Sequence, residues 1–429
     1  MTMKLKFILI CLLVFHFMQS SIAQELKHRV LRNYISQEMK LKEEALNPGI
    51  AGKRTLIDSF VVRYVKSGKD FKKGTIPIVI HLMSNKAFDL KSIINQIDSS
   101  NLDFDRPKEK QLFKHEADIR KGYDKLASKV ELQFCLARTD GNNSKIDAIT
   151  YKIGYKPNLD NLNDLKEKEK GGIDAIDPQN ILNIWVVDLD PSTAGYAQMP
   201  GGESKYDGIV INSSFFGIDA DTLNPYGKGK TLTHLIANYI GLYELWNENE
   251  YCKDDGVEDT PIHNAPNYYN TQYKHITTCP GNNVELTMNF MDNTDDDALT
   301  MFTTGQKMRL LSLLSEGGPR ENLLNNKAKC SNSFDEDLSE RQNKFATYSI
   351  YPNPNSGEFN ISLEKFNSEK ITISIYNSLG ELVLTKPYLI FPFSKNVVSI
   401  DVQNLVGGIY NLVFEIDSQT VNERIMIIK

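Results

Sequence analysis

Three runs of aliphatic and β-branched residues most constrain what this chain can fold into: TIPIVIHLM at 75–83, ILNIWVVDL at 181–189 and DGIVIN at 207–212. Such runs read as strands. Between the first two, FDLKSIINQIDSSNLDF (88–104) repeats its apolar residues at helical spacing. Strands alternating with helices predict an α/β domain, a twisted sheet with helices packed on it. A different texture follows the polar stretch 326–347, which has no apolar period and reads as a linker. FNISL, KITISIYN, ELVLT, VVSIDV, GIYNLVFEI and RIMIIK are short alternating strands, parted by turn residues such as NSLGE and VGG. That pattern predicts an all-β immunoglobulin-like sandwich over 348–429.

The beginning of the chain reads as a processing signal. Lys4 and Lys6 precede an apolar run from Phe7 to Met18, and the small residues of SIA (21–23) predict a cut near Gln24. The run is short for a membrane span, and no later stretch is apolar enough to make one. A signal peptide at 1–23 therefore implies an exported protein. The formal charge of −6 gives no electrostatic reason to expect nucleic acid or an anionic membrane as partner. Residues 24–72 are charged and helix-prone with few large apolar groups, the texture of a pro-segment or N-terminal arm before a domain at 73–325.

Export means an oxidising compartment, and four cysteines follow the cut: Cys135, Cys252, Cys279 and Cys330. An even number predicts two disulfides with three pairings open. Spacing suggests Cys252–Cys279, closing a local loop worth about 3–4 kcal/mol on the chain-entropy account, and leaves Cys135–Cys330.

The segment TLTHLIANYIGLYELW (231–246) carries its apolar residues on a helical period and meets a stop at Gly241. It resembles the HExxHxxGxxH zinc signature of the pappalysin-type metalloproteases, metzincins that include pregnancy-associated plasma protein A and the bacterial cytophagalysins. The resemblance extends, in order, through IPIVIH (76–81), QIDSSNLDF (96–104), QFCLA (133–137), LNIWVVDL (182–189), AGYAQMP (194–200) and DGIVI (207–211). It continues through DDGVEDTP (254–261), MNFMD (288–292) and FTTGQKMR (302–309), and so covers roughly residues 75–325. It implies a metzincin-like α/β fold.

It does not imply the chemistry. Two histidines one helical turn apart bring both imidazoles to one zinc, a neighbouring glutamate takes a proton from the metal-bound water, and a turn delivers the third ligand. Here His234 keeps the first ligand position, Leu235 stands at the general base, Asn238 at the second ligand and Glu244 at the third. Loss of a general base alone costs about 10²- to 10⁴-fold in rate. His115 has Ile119 where a second ligand would fall, and His263 and His275 stand apart in loops, so no other histidine restores the set. The expectation is a pseudoprotease without zinc. The competing reading is a peptidase whose metal site is rearranged onto His234 and Glu244.

Further residues carry roles implied by the resemblance. The family's pro-segments often cap the zinc with a cysteine; in YISQE (34–38) Tyr34 stands at that place. Met291 matches the methionine below the metal. Asp255, Asp259 and the carbonyl of Val257 are candidate calcium ligands, and Ala298 replaces a cysteine of a further family disulfide. Gly195, Tyr196 and Ala197 match the rim strand that aligns substrate. An open edge there would accept a protein or peptide ligand by strand addition, whereas the N-terminal arm would close it.

YSIYPNPNSGEFNISL (348–363), SIYNSLGELV (374–383), LVGGIYNLVF (405–414) and the terminal IMIIK resemble the C-terminal sorting domain of the type IX secretion system. That resemblance implies a second export step, a secreted or cell-surface destination, the secretion machinery as partner and a source among the Bacteroidetes. The overall expectation is a secreted pseudoprotease that binds a protein or peptide or serves at the cell surface.

Overall fold

The computed structural model describes residues 31–429 apart from 87, 89, 106–125, 153–154, 219–223, 248–249, 270–274, 282–283, 326, 329, 331–346, 365, 367–369, 391–394 and 417–418. The signal-peptide reading at 1–23 and nearly all of the linker reading at 326–347 fall outside these residues.

The N-terminal arm begins with the two-residue strand β1 (Asn33–Tyr34). Two helices follow, α1 (Ser36–Leu46) and α2 (Pro48–Lys66). The second starts where Pro48 fixes the first helical φ and the Asn47 side chain accepts from Gly49 N. Then come β2 (Gly74–Met83), α3 (Leu90–Phe104), β3 (Ala127–Ser128), β4 (Leu132–Leu136) and β5 (Ile149–Tyr151). The sheet is completed by β6 (Leu182–Val187), β7 (Thr193–Ala197) and β8 (Ile209–Asn212).

The sheet order is β1-β7-β8-β6-β2-β4, with β5 also paired to β2. Its central strands are parallel, and β7 alone runs antiparallel to its neighbour β8. Every residue of β6 and β8 is buried, which is why these strands read as nearly continuous apolar runs rather than alternating ones. Gly195 in β7 has φ +138°, and a Cβ there would meet the Val210 carbonyl at 2.2 Å, so only glycine lets β7 lie against β8.

Helix α4 (Lys230–Ile240) is buried along its whole length and ends at Gly241, whose φ is +135°. Strand β9 (Phe302–Thr303) leads into α5 (Thr304–Leu314). Thr303 and Gln306 exchange side-chain and backbone hydrogen bonds there as a capping box. A single apolar core joins the sheet, α3, α4 and α5, and takes in Tyr34 and Val61 of the arm. The arm is therefore more deeply built into the domain than its charged texture suggested. Its buried positions include Arg32, Ser36 and Arg54, polar groups whose burial depends on distant partners.

A short helix, α6 (Asn322–Asn325), closes this domain. The chain then forms β10 (Thr347–Tyr351), β11 (Glu358–Glu364), β12 (Lys370–Tyr376), β13 (Leu382–Leu389), β14 (Lys395–Asp401), β15 (Gly408–Ile416) and β16 (Gln419–Ile427). They make two antiparallel sheets, β10-β11-β14 and β13-β12-β15-β16. Alternate residues such as Ile361, Val398, Ile373, Leu412 and Phe414 meet in one core between them. No helix among the described residues is long and apolar enough to cross a membrane.

Candidate functional site

Helix α4 delivers His234 into the domain's interior, fully buried. Its Nδ1 donates to the Phe290 carbonyl at 2.9 Å, which leaves Nε2 as the bare lone pair of the neutral ring. That lone pair has no hydrogen-bond partner. Glu244, carried back by the turn after Gly241, brings Oε1 to 3.9 Å from it, and that oxygen too is unpartnered. Burial pushes the imidazole below its ordinary pKa, and the nearby Glu244 carboxyl only partly offsets this.

The remaining positions of the motif face elsewhere. Leu235 is part of the apolar core. Asn238 is fully committed: its Nδ2 donates to the Leu242 carbonyl at 3.0 Å and its Oδ1 accepts from Ser36 Oγ at 2.9 Å. A catalytic zinc takes three protein ligands and keeps one position open. This donor set offers one imidazole and one carboxylate, and therefore does not fit that ion. Among the described residues no group of three or more His, Cys, Asp or Glu converges as a metal site.

The arm fills the cleft. β1 lies parallel to β7, with Asn33 N donating to Ser192 O at 2.9 Å and Ile35 N to Gly195 O at 3.0 Å. The Tyr34 ring lies flat on the His234 ring, centroids 3.7 Å apart and planes 4° from parallel. Ser36 Oγ accepts from Ala197 N at 3.1 Å while donating to Asn238, and so ties rim strand to helix. The edge at Gly195, Tyr196 and Ala197 is thus occupied by the chain itself.

Arg32, entirely buried, pairs with Asp296 at 2.6 Å and donates to Thr231 Oγ1 and the Thr294 carbonyl. The other oxygen of Asp296 accepts from Lys228 N and Lys230 N, placing a carboxylate at the start of α4 where its dipole favours one. Sequence reasoning picked out Tyr34 but missed Arg32, Ser36 and Asp296. Their only local signal was polarity in segments dense with polar residues.

Met291 is buried in the same core as Leu235. Asp255 Oδ1 accepts from Val257 N and Thr260 Oγ1, and the Val257 carbonyl accepts from the same hydroxyl. Burial pushes the Asp255 carboxyl up to about 7. Asp259 accepts from Thr303 Oγ1 and Gly305 N at the start of α5. The disulfides join Cys252 to Cys279 and Cys135 to Cys330.

This mixed sheet with its buried motif helix is a metalloprotease-like fold, which comparison with known proteins shows. Mature mirolysin of Tannerella forsythia, solved with a cleaved peptide, is 29% identical, with a TM-score of 0.53 over 59% of this chain and 97% of that one. A promirolysin mutant of the same organism is 28% identical, with a TM-score of 0.58 over 69% and 97%. An extracellular metalloprotease of Arthroderma gypseum is 33% identical across 34% of this chain and 49% of its own length. One from Colletotrichum graminicola is 35% identical across 30% and 48%. The chain spans about half the length of these curated relatives. Residues 349–429 match the family described as secretion system C-terminal sorting domain. Tail and relatives together make this a secreted or cell-surface protein.

Proposed function

We propose that this protein is a catalytically inactive relative of the pappalysin-type metalloproteases, which reaches the cell exterior through the type IX secretion machinery and acts there through surface contacts. One observation carries the reading: the single motif imidazole, His234, lies under the Tyr34 ring, with Leu235 at the general-base position and Asn238 where a second imidazole would stand. Leu235 cannot take a proton from water, and Asn238 spends its oxygen on Ser36. While the arm is seated, the edge at Gly195–Ala197 has no room for a peptide, so a protein ligand or a surface role rests on other faces. The two antiparallel sheets at 347–427, with an immunoglobulin-like sandwich as their finer reading, are the part addressed to the export machinery.

The test is the metal content of the purified, dialysed protein together with peptidase activity. Substoichiometric zinc and no hydrolysis are expected. Stoichiometric zinc with cleavage would transfer the reading to a rearranged peptidase on His234 and Glu244. Restoring Leu235→Glu, Asn238→His and Glu244→His together is expected to raise zinc binding. Calcium at Asp255, Val257 and Asp259 is a separate proposal, in which the ion displaces the Thr260 hydroxyl; calorimetric titration with Ca²⁺ reads it directly.

A further inference from the structure

We infer that residues 31–72 are retained in the secreted protein as the permanent internal ligand of the cleft, not a segment removed on maturation. The inference stands on the arm's contacts and not on catalytic silence. An inactive protein found without its arm would sink it while leaving the functional reading intact.

The contacts run the full length of the arm. Arg32 sits in a fully buried ion pair with Asp296, and Asn293 Nδ2 donates to the Arg32 carbonyl at 2.7 Å. Tyr34 covers His234, while Ile35 and Met39 pack against the cluster of Trp185 and Tyr196 on the other side of β7. Arg54, also buried, holds Glu43 and Glu44 and donates to the Pro200 carbonyl at 3.3 Å. On α2, Val61 lies in the main core, and Asp58 pairs with Arg309 of α5 at 2.5 Å. Lys72 N donates to Ser315 Oγ at 2.9 Å.

Removing the arm would strip Asp296, Asn238 and Arg309 of partners and uncover apolar core. It would also free Ser192 O, Gly195 O and Ala197 N along the rim. Stranding one member of a buried ion pair is among the costliest single changes a fold can suffer. Residues 67–70 between α2 and β2 are exposed, so this is where a protease would reach the chain. The contacts above predict that a cut there leaves the arm in place.

The experiment uses the full secreted protein. Intact mass and N-terminal sequencing are expected to place its start upstream of Arg32; a start beyond Lys72 would overturn the inference. A protease site engineered at 67–70 and cut in the folded protein is expected to leave both pieces co-eluting until denaturant is added. Release of the arm from a still-folded domain would refute retention. Arg32→Met is expected to lower the melting temperature by about 10 °C. Should that variant fail to fold, amide exchange on the wild type decides. Protection at Asn33 and Ile35 equal to that of β6 supports retention, and exchange there by local opening counts against it.

Discussion

Among the described residues of the first domain, two groupings of buried imidazole and carboxylate are finished differently. At the motif helix, His234 Nε2 and Glu244 Oε1 point at each other across 3.9 Å and neither has a hydrogen-bond partner. In the loops beyond, His263 sits among Glu285, Asp292 and Asn267. There Leu286 N donates to His263 Nε2, and Asn267 Nδ2 donates to both Glu285 and Asp292. Asn264 N, Asn267 N and Asn293 N reach the other carboxylate oxygens, and His275 adds a bond to Glu285. Burial of polar groups is tolerated when each is satisfied. The second grouping meets that condition at all four carboxylate oxygens and serves as a structural clasp, with the His263 Nδ1 hydrogen facing Asp292 and Glu285 at 3.7 and 3.9 Å. The first does not, and keeps the residues of a site without its closure.

The largest effect should come from breaking the satisfied clasp. Glu285→Ala leaves Asn267, His275 and Asn264 N without their acceptor, and is expected to cost about 3–5 kcal/mol by urea denaturation. A loss under about 1 kcal/mol would dissolve the contrast between the two groupings.

A smaller effect should appear in the pH dependence of stability. Burial pushes Asp292 up to about 7, so its contribution is full at low pH and is lost as pH rises through that value. Burial pushes His263 down to about 4, so the fold resists its protonation and loses stability as pH falls from about 6.5 towards 4. Glu285 is held below the usual carboxylate range: burial raises it, but Asn267, His263 and His275 outweigh that, so it too loses stability in acid. The Asp292 and His263 slopes oppose each other between about pH 4 and 6.5, so the denaturation midpoint is expected to stay nearly level there, falling in acid below it and slightly between about 6.5 and 7. Asp292→Asn should turn that level stretch into a rise with pH towards 6.5, and an unchanged profile would assign it to other groups.

The smallest change is predicted at the unfinished pair. Replacing His234 and Glu244 together by leucine removes two unsatisfied atoms for the loss of one hydrogen bond to Phe290. Stability should stay within about 1 kcal/mol of wild type. A loss above about 3 kcal/mol would show that the pair holds the cleft together, contrary to its open geometry.

How much of this was legible in the sequence follows from the range of the forces involved. β2, β6, β8 and α4 were readable because their apolar runs and helical period are local. The substitutions at Leu235, Asn238 and Glu244 were legible because the motif fixes what each position would have to do. The depth of the arm's burial was not legible because its deepest residues are polar. Arg32 is buried through Asp296, 264 residues along the chain, and no window of sequence around position 32 contains that information. Ser36 similarly gains its place only when β7 and α4 lie side by side. The clasp at His263, Glu285 and Asp292 went unread for the same reason: its members come from separate loops, and each alone looks like solvated polarity.

The bond between Cys135 and Cys330 fixes β4 to the last residue before the stretch leading to the sorting domain. Any pull on that domain enters the sheet at β4. The short helix α6, which would otherwise be the first turn to peel, lies behind this staple and carries none of the load.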